Sequence, residues 1–131
     1  MLHDSVSARF GGRDFTLKIS RADLPAFEAA TGDSAFAVLK AIHAGTWTVR
    51  QLKSVVGFAM AAPEQLRLAR AMARASQHGM AGLEPTATHV ERVLATRPPA
   101  IYAPLAEAIL GAALFGITAE EATFTDEPDG A

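Results

Sequence analysis

The stretch that decides the fold is Ser5-Val-Ser-Ala-Arg-Phe10, then Gly11-Gly-Arg-Asp14, then Phe15-Thr-Leu-Lys-Ile19. Val6, Ala8 and Phe10 alternate with polar residues, and so do Phe15, Leu17 and Ile19. Period-two alternation gives each run one apolar face. Gly-Gly between two such runs is a hairpin signal, because glycine enters the positive-φ region without steric cost. A lone hairpin is unstable in water, so its apolar face needs a helical layer.

The rest of the chain supplies helices. Ser20 reads as an N-cap with Asp23 in the first turn, and Leu24, Phe27 and Ala30 or Thr31 recur at helical spacing before Gly32. Pro25 fits only the first turn of that helix. Ser34 caps a second helix with Phe36, Leu39 and Ile42 in a stripe. Thr48-Val-Arg-Gln51 has the capping-box pattern and opens a third helix. Pro63 starts a fourth as an N1 proline. Residues 77–87 read as a loop, and Thr88-His-Val-Glu91 as a second capping box. A terminal apolar helix covers 101–115. The expected class is mainly α with a small N-terminal hairpin (α+β): five or six short helices on two strands. Length agrees, since 131 residues make one domain by default. The expected division is a globular domain over 1–117 and an acidic, disordered tail over 118–131.

Composition narrows the function. Alanine accounts for 28 residues and aromatics for only 9, which suits close-packed helices. Cysteine is absent, which excludes disulfides, thiolate metal sites and thiol nucleophiles. The net charge of −2 argues against general nucleic-acid binding. No leader of signal-peptide type is visible, and the apolar run 101–117 is shorter than a membrane span and carries Glu107 and Pro104. The expectation is a cytoplasmic protein without a membrane partner.

No catalytic or cofactor-binding constellation emerges. His3, His43, His78 and His89 lack the spacing that converges ligands on a metal, so they are expected to be solvated or capping. The serines lack a nucleophile-elbow context, and Gly11-Gly12 lies between strands rather than before a helix. No enzyme and no cofactor are expected.

Three features point to partners instead. Arg67, Arg70 and Arg74 fall on one face of the fourth helix, either as a solvated face or as a cationic stripe. All 12 Lys and Arg lie at or before Arg97, whereas residues 98–131 carry 6 acids. The acidic end therefore solubilises the chain or shields its basic helices. The terminal helix is apolar nearly all round: Ile101, Leu105, Ile109, Ala112 and Phe115 on one side, Leu110 and Leu114 on another. Such a helix is either central in the core or shared with a partner. The expectation carried forward is association through Leu105, Ile109, Leu110, Leu114 and Phe115, with self-association as one form of it. On that expectation, changing Leu110 and Leu114 to Gln shifts the oligomer and spares the fold.

The order of elements resembles the gene-transfer-agent family of phage tail proteins. The resemblance rests on Gly11, Gly12, Arg13, Phe15, Leu17, Leu24, Phe27, Glu28 and Gly32, with 48–58 similar to the family's next capped helix. It spans about residues 6–60 and then only the terminal apolar helix; Pro25 and the segment 63–85 depart from the pattern. The resemblance implies a non-enzymatic tail assembly chaperone in the bacterial host cytoplasm. Such a chaperone keeps the tape-measure protein soluble and recruits tail-tube subunits. A structural, tube-associated tail component is the alternative it also implies. A tube subunit needs long strands, which this chain lacks. A small helical regulatory or nucleic-acid-binding domain using the three arginines is the reading from a different class.

Overall fold

The computed structural model describes residues 1–75 and 87–127. Most of the expected loop 77–87 therefore lies outside the described residues, as do 128–131. Among the described residues six α-helices accompany a small sheet, an α+β arrangement. β1 (Val6–Phe10) and β2 (Arg13–Leu17) form the antiparallel hairpin, with Val6 opposite Leu17 and Phe10 opposite Arg13. That register leaves a two-residue turn, and both Gly11 and Gly12 take positive φ (58° and 78°), the backbone a type I′ turn demands.

A single 3-10 turn at Arg21–Asp23 leads into α1 (Leu24–Thr31), with Pro25 in its first turn. Ser20 does not cap the backbone; its hydroxyl donates to the Asp23 carboxylate at 2.6 Å. Ser34 does cap α2 (Ala35–His43), accepting from the amide of Ala37. Both halves of the Thr48–Gln51 capping box form at the start of α3 (Val49–Met60). α4 (Pro63–Ala75) starts at its proline. α5 spans Thr88–Thr96, and a 3-10 turn at Pro99–Tyr102 precedes α6 (Ala103–Leu114). The second expected capping box is corrected here: Thr88 is already helical, Ala87 is the N-cap, and no side chain caps that end.

The core lies between the sheet's apolar face and α3 and α6, which pack against each other. Val6, Phe10 and Leu17 from the strands meet Leu52, Val55 and Phe58 from α3 and Leu105, Ile109 and Leu110 from α6, all essentially inaccessible. α1 extends the layer through Phe27, which meets Phe58 edge-on at 5.5 Å between ring centroids.

The expected disordered tail is corrected over its described part. β3 (Thr123–Thr125) adds to the sheet in the order β2-β1-β3, running parallel to β1. Two parallel partners so far apart in sequence need a long crossover, and the whole helical layer provides it. Thr118 and Glu121 close the approach in a reciprocal cap, Glu121 Oε1 accepting from both the amide and the hydroxyl of Thr118. Ala122 is buried and Phe124 packs on Tyr102. Asp126 then locks the end. Its Oδ2 accepts from the Tyr102 hydroxyl (2.7 Å), from the Gly11 amide (3.0 Å) and from the Arg97 guanidinium. Burial pushes the Asp126 carboxyl up, but these three donors outweigh it and hold the group below the usual carboxylate range. The acidic end is thus pinned at a specific place rather than spread over a basic face.

Candidate docking groove

α2 and α6 lie side by side and antiparallel. Phe36 at the start of α2 meets Phe115 just past the end of α6, ring planes near-perpendicular at 6.1 Å. At the other end His43 Nδ1 meets Glu107 Oε1 at 2.6 Å. Between these contacts runs an open groove of about 770 Å³. Phe36, Leu39, Lys40 and His43 line it from α2, at the spacing that keeps residues on one helix face. Pro104, Glu107, Ala108 and Gly111 line it from α6 at the same spacing. Ile117 closes the floor beyond α6.

The groove has two chemically different rims. Lys40 stands on the α2 side, its Nζ 5.8 Å from the centroid of the Phe36 ring, with His43 one turn on. Glu107 and Glu121 stand on the other side. The floor is apolar and small: Ala44, Ala108 and Gly111 let an incoming backbone approach closely. Phe36 is 52% exposed and Phe115 62%, so two large aromatic rings remain uncovered where the chain's own packing ends. Both belong to one surface, which a scatter of single apolar residues would not produce.

The expected association surface on the terminal helix is redrawn accordingly. Leu105, Ile109 and Leu110 are wholly inside, against α3 and the sheet, and present nothing to a partner. Leu114 is half-buried and packs on the core. Of the five, Phe115 alone is exposed. The helix can be apolar all round because three surfaces meet it: the sheet, α3 and α2. Its remaining face, Pro104, Ala108 and Gly111, lines the groove. Phe36 was legible only as part of an α2 core stripe. The stripe rotates so that Ala35, Val38 and Ile42 point inward and Phe36 points out.

The three arginines part company. Arg70 reaches the Asp23 carboxylate at 2.5 Å, and the Asp23 side chain is only 6% exposed. It joins α4 to the start of α1, so it is an internal tie rather than a free cation. Arg67 and Arg74 remain exposed; Arg74 lines a shallow cleft between α1 and α4 with Pro25 and Ala29. The continuous cationic stripe is therefore broken at its middle member.

His89 also differs from expectation. It is buried, its Nε2 at 2.9 Å from the Phe10 carbonyl and its Nδ1 at 3.0 Å from an Arg92 nitrogen. Arg92 can only donate, so Nδ1 accepts and Nε2 donates to Phe10. Its ring lies about equidistant from Phe10 and Phe15, fixing α5 against the hairpin turn. This is a structural role that no spacing rule reveals, because its acceptor, the Phe10 carbonyl, is 79 residues away.

Among the described residues no helix is long and apolar enough to cross a membrane, and no three His, Asp or Glu side chains converge as metal ligands. Comparison of the chain with protein-family models, with curated proteins and with solved structures gives no match.

Proposed function

We propose that this chain is a non-enzymatic assembly chaperone of a phage-type tail, which holds a segment of the tape-measure protein in the groove between α2 and α6 and brings tail-tube subunits to it. One observation carries the reading: an exposed apolar groove with two aromatic rings at one end and charged rims along both sides. A groove of this shape suits an amphipathic helix, whose apolar stripe fills the floor while its flanks meet the rims. The identity of the client comes from the resemblance of residues 6–60 to the tail family. The strands favour the chaperone over the tube component, since five, five and three residues give too little edge to continue into a ring. The place of action on this reading is the cytoplasm of the bacterial host, where tails assemble.

The test is co-expression with a tape-measure protein of a phage-type tail, measuring how much of that protein stays soluble and co-purifies. Each exposed ring contributes about 1–2 kcal/mol when covered, given that roughly half of it is open. The Phe36→Ala, Phe115→Ala pair of changes should therefore weaken capture by at least tenfold while the chain melts at nearly the same temperature. A tape-measure protein that remains insoluble and unbound beside the wild-type chain refutes the proposal.

A further inference from the structure

The antiparallel pairing of α2 and α6 makes the groove self-complementary. The cation Lys40 and the imidazole of His43 stand on the α2 rim, and Glu107 and Glu121 stand on the opposite rim. Consider a half-turn about an axis lying along the groove. It lays α2 of one copy over α6 of another, so the basic rim faces an acidic rim twice, once in each direction. This is the reciprocal matching that an isologous interface requires. The same rotation brings the Phe36–Phe115 pairs of both copies to one end, where four exposed rings can cover one another. A half-turn about an axis across the groove instead lays α2 on α2 and sets Lys40 near its own counterpart, which like-charge repulsion disfavours. The small floor residues Ala44, Ala108 and Gly111 leave room for the second pair of helices.

We infer that a second copy of this chain closes the groove, giving a two-fold dimer in which α2 and α6 of each copy form a four-helix layer. The inference rests on the reading of the groove as a protein-docking surface. On that reading the second copy and the client compete for one site. The dimer then shields the aromatic end until a client displaces one copy.

Sedimentation velocity of the full chain at low salt, from micromolar to sub-millimolar concentration, tests this. The wild-type chain should pass from monomer to dimer as concentration rises. Lys40→Glu makes both rims acidic, and Glu107→Lys sets a lysine against Lys40 on a rim whose remaining acid is Glu121. Each variant alone should dimerise at least about tenfold more weakly, because both of its reciprocal contacts become repulsive. An equimolar mixture of the two should recover the dimer, because the Lys40→Glu carboxylate of one copy then meets the Glu107→Lys ammonium of the other, and the unchanged Lys40 meets the unchanged Glu107. Lys40→Glu mixed with Glu121→Lys repeats the experiment without disturbing the His43–Glu107 contact. A wild-type chain that stays monomeric throughout overturns the inference. So does a dimer that neither variant weakens, since it uses another surface. A monomer that still captures the tape-measure protein overturns the inference and leaves the proposed function standing. A charge-dependent dimer that captures none upholds the inference and removes that function.

Discussion

Replacing Asp126 by Ala should destabilise the protein far more than its position near the end of an acidic segment suggests. The carboxylate side chain is 1% exposed and accepts from three donors. Removing it strands the Tyr102 hydroxyl, on a residue only 2% exposed, and the amide of Gly11 in the hairpin turn. A buried donor left without an acceptor costs about 1–3 kcal/mol. Arg97 is 42% exposed on its side chain and returns to water at little cost. Some of the loss is offset, because Asp126 Oδ1 is itself buried without a partner and no longer needs to be desolvated. The net expectation is a loss of about 2–4 kcal/mol, or a melting temperature lower by about 6–15 °C for a domain of this length. Glu127→Ala is the internal control. Its partner is Arg9, and both side chains are about half exposed, so that ion pair is worth at most about 1 kcal/mol. Adding Tyr102→Phe to Asp126→Ala should cost less than the two changes summed, because it removes the stranded hydroxyl. Thermal and urea unfolding followed by circular dichroism measures the wild type, the three single variants and the double variant. If Asp126→Ala melts with the wild type, or no lower than Glu127→Ala, the end of the chain is not docked and the β3 placement is wrong.

Other consequences can be checked on the same instruments. The Asp126 carboxyl is held below its ordinary value of 3.8, so its contribution is fully present above that value and disappears as pH falls through the lowered native one. The urea midpoints of wild type and Asp126→Ala should therefore converge as pH falls from neutral through 3.8 and below it, and a gap that stays constant into acid contradicts the assignment. Leu110→Gln should lose about 3–5 kcal/mol, because a wholly buried leucine is replaced by an amide with nothing to bond. A Leu110→Gln protein of normal stability but altered association would restore the terminal helix as a contact surface. Gly11→Ala and Gly12→Ala share positive φ, yet a Cβ at Gly11 would sit 2.6 Å from His89 Cε1 while one at Gly12 meets nothing. Gly12→Ala should cost about 1 kcal/mol, and Gly11→Ala several times more. Equal melting of the two would mean that His89 does not pack beneath the turn.

The sequence by itself determined the local elements. Alternation on either side of Gly11-Gly12 specifies the hairpin, because strand pleating puts every second side chain on one face. Ser34 and the Thr48–Gln51 pair mark helix starts, because a cap is a bond between neighbours three residues apart. What the sequence could not decide is which apolar face meets which. Leu105, Leu110 and Phe115 are equally apolar side chains on one apolar segment, and only the placement of α2, α3 and the sheet around α6 buries two and exposes the third. The C-terminal strand is a similar case. A Thr-x-x-Glu box at Thr118 and the Thr123-Phe-Thr125 alternation are visible locally, but three strand residues stabilise nothing alone. They are held by β1 and by an aspartate whose donors come from the hairpin turn, from just past α5 and from the turn before α6. Arg70 was a surface charge by spacing and became a tie once α4 lay beside Asp23. The physical reason is common to all three. Propensity, capping and alternation act over a few residues along the chain, whereas burial and the pairing of charges depend on segments far apart in sequence, which only the packed fold brings together.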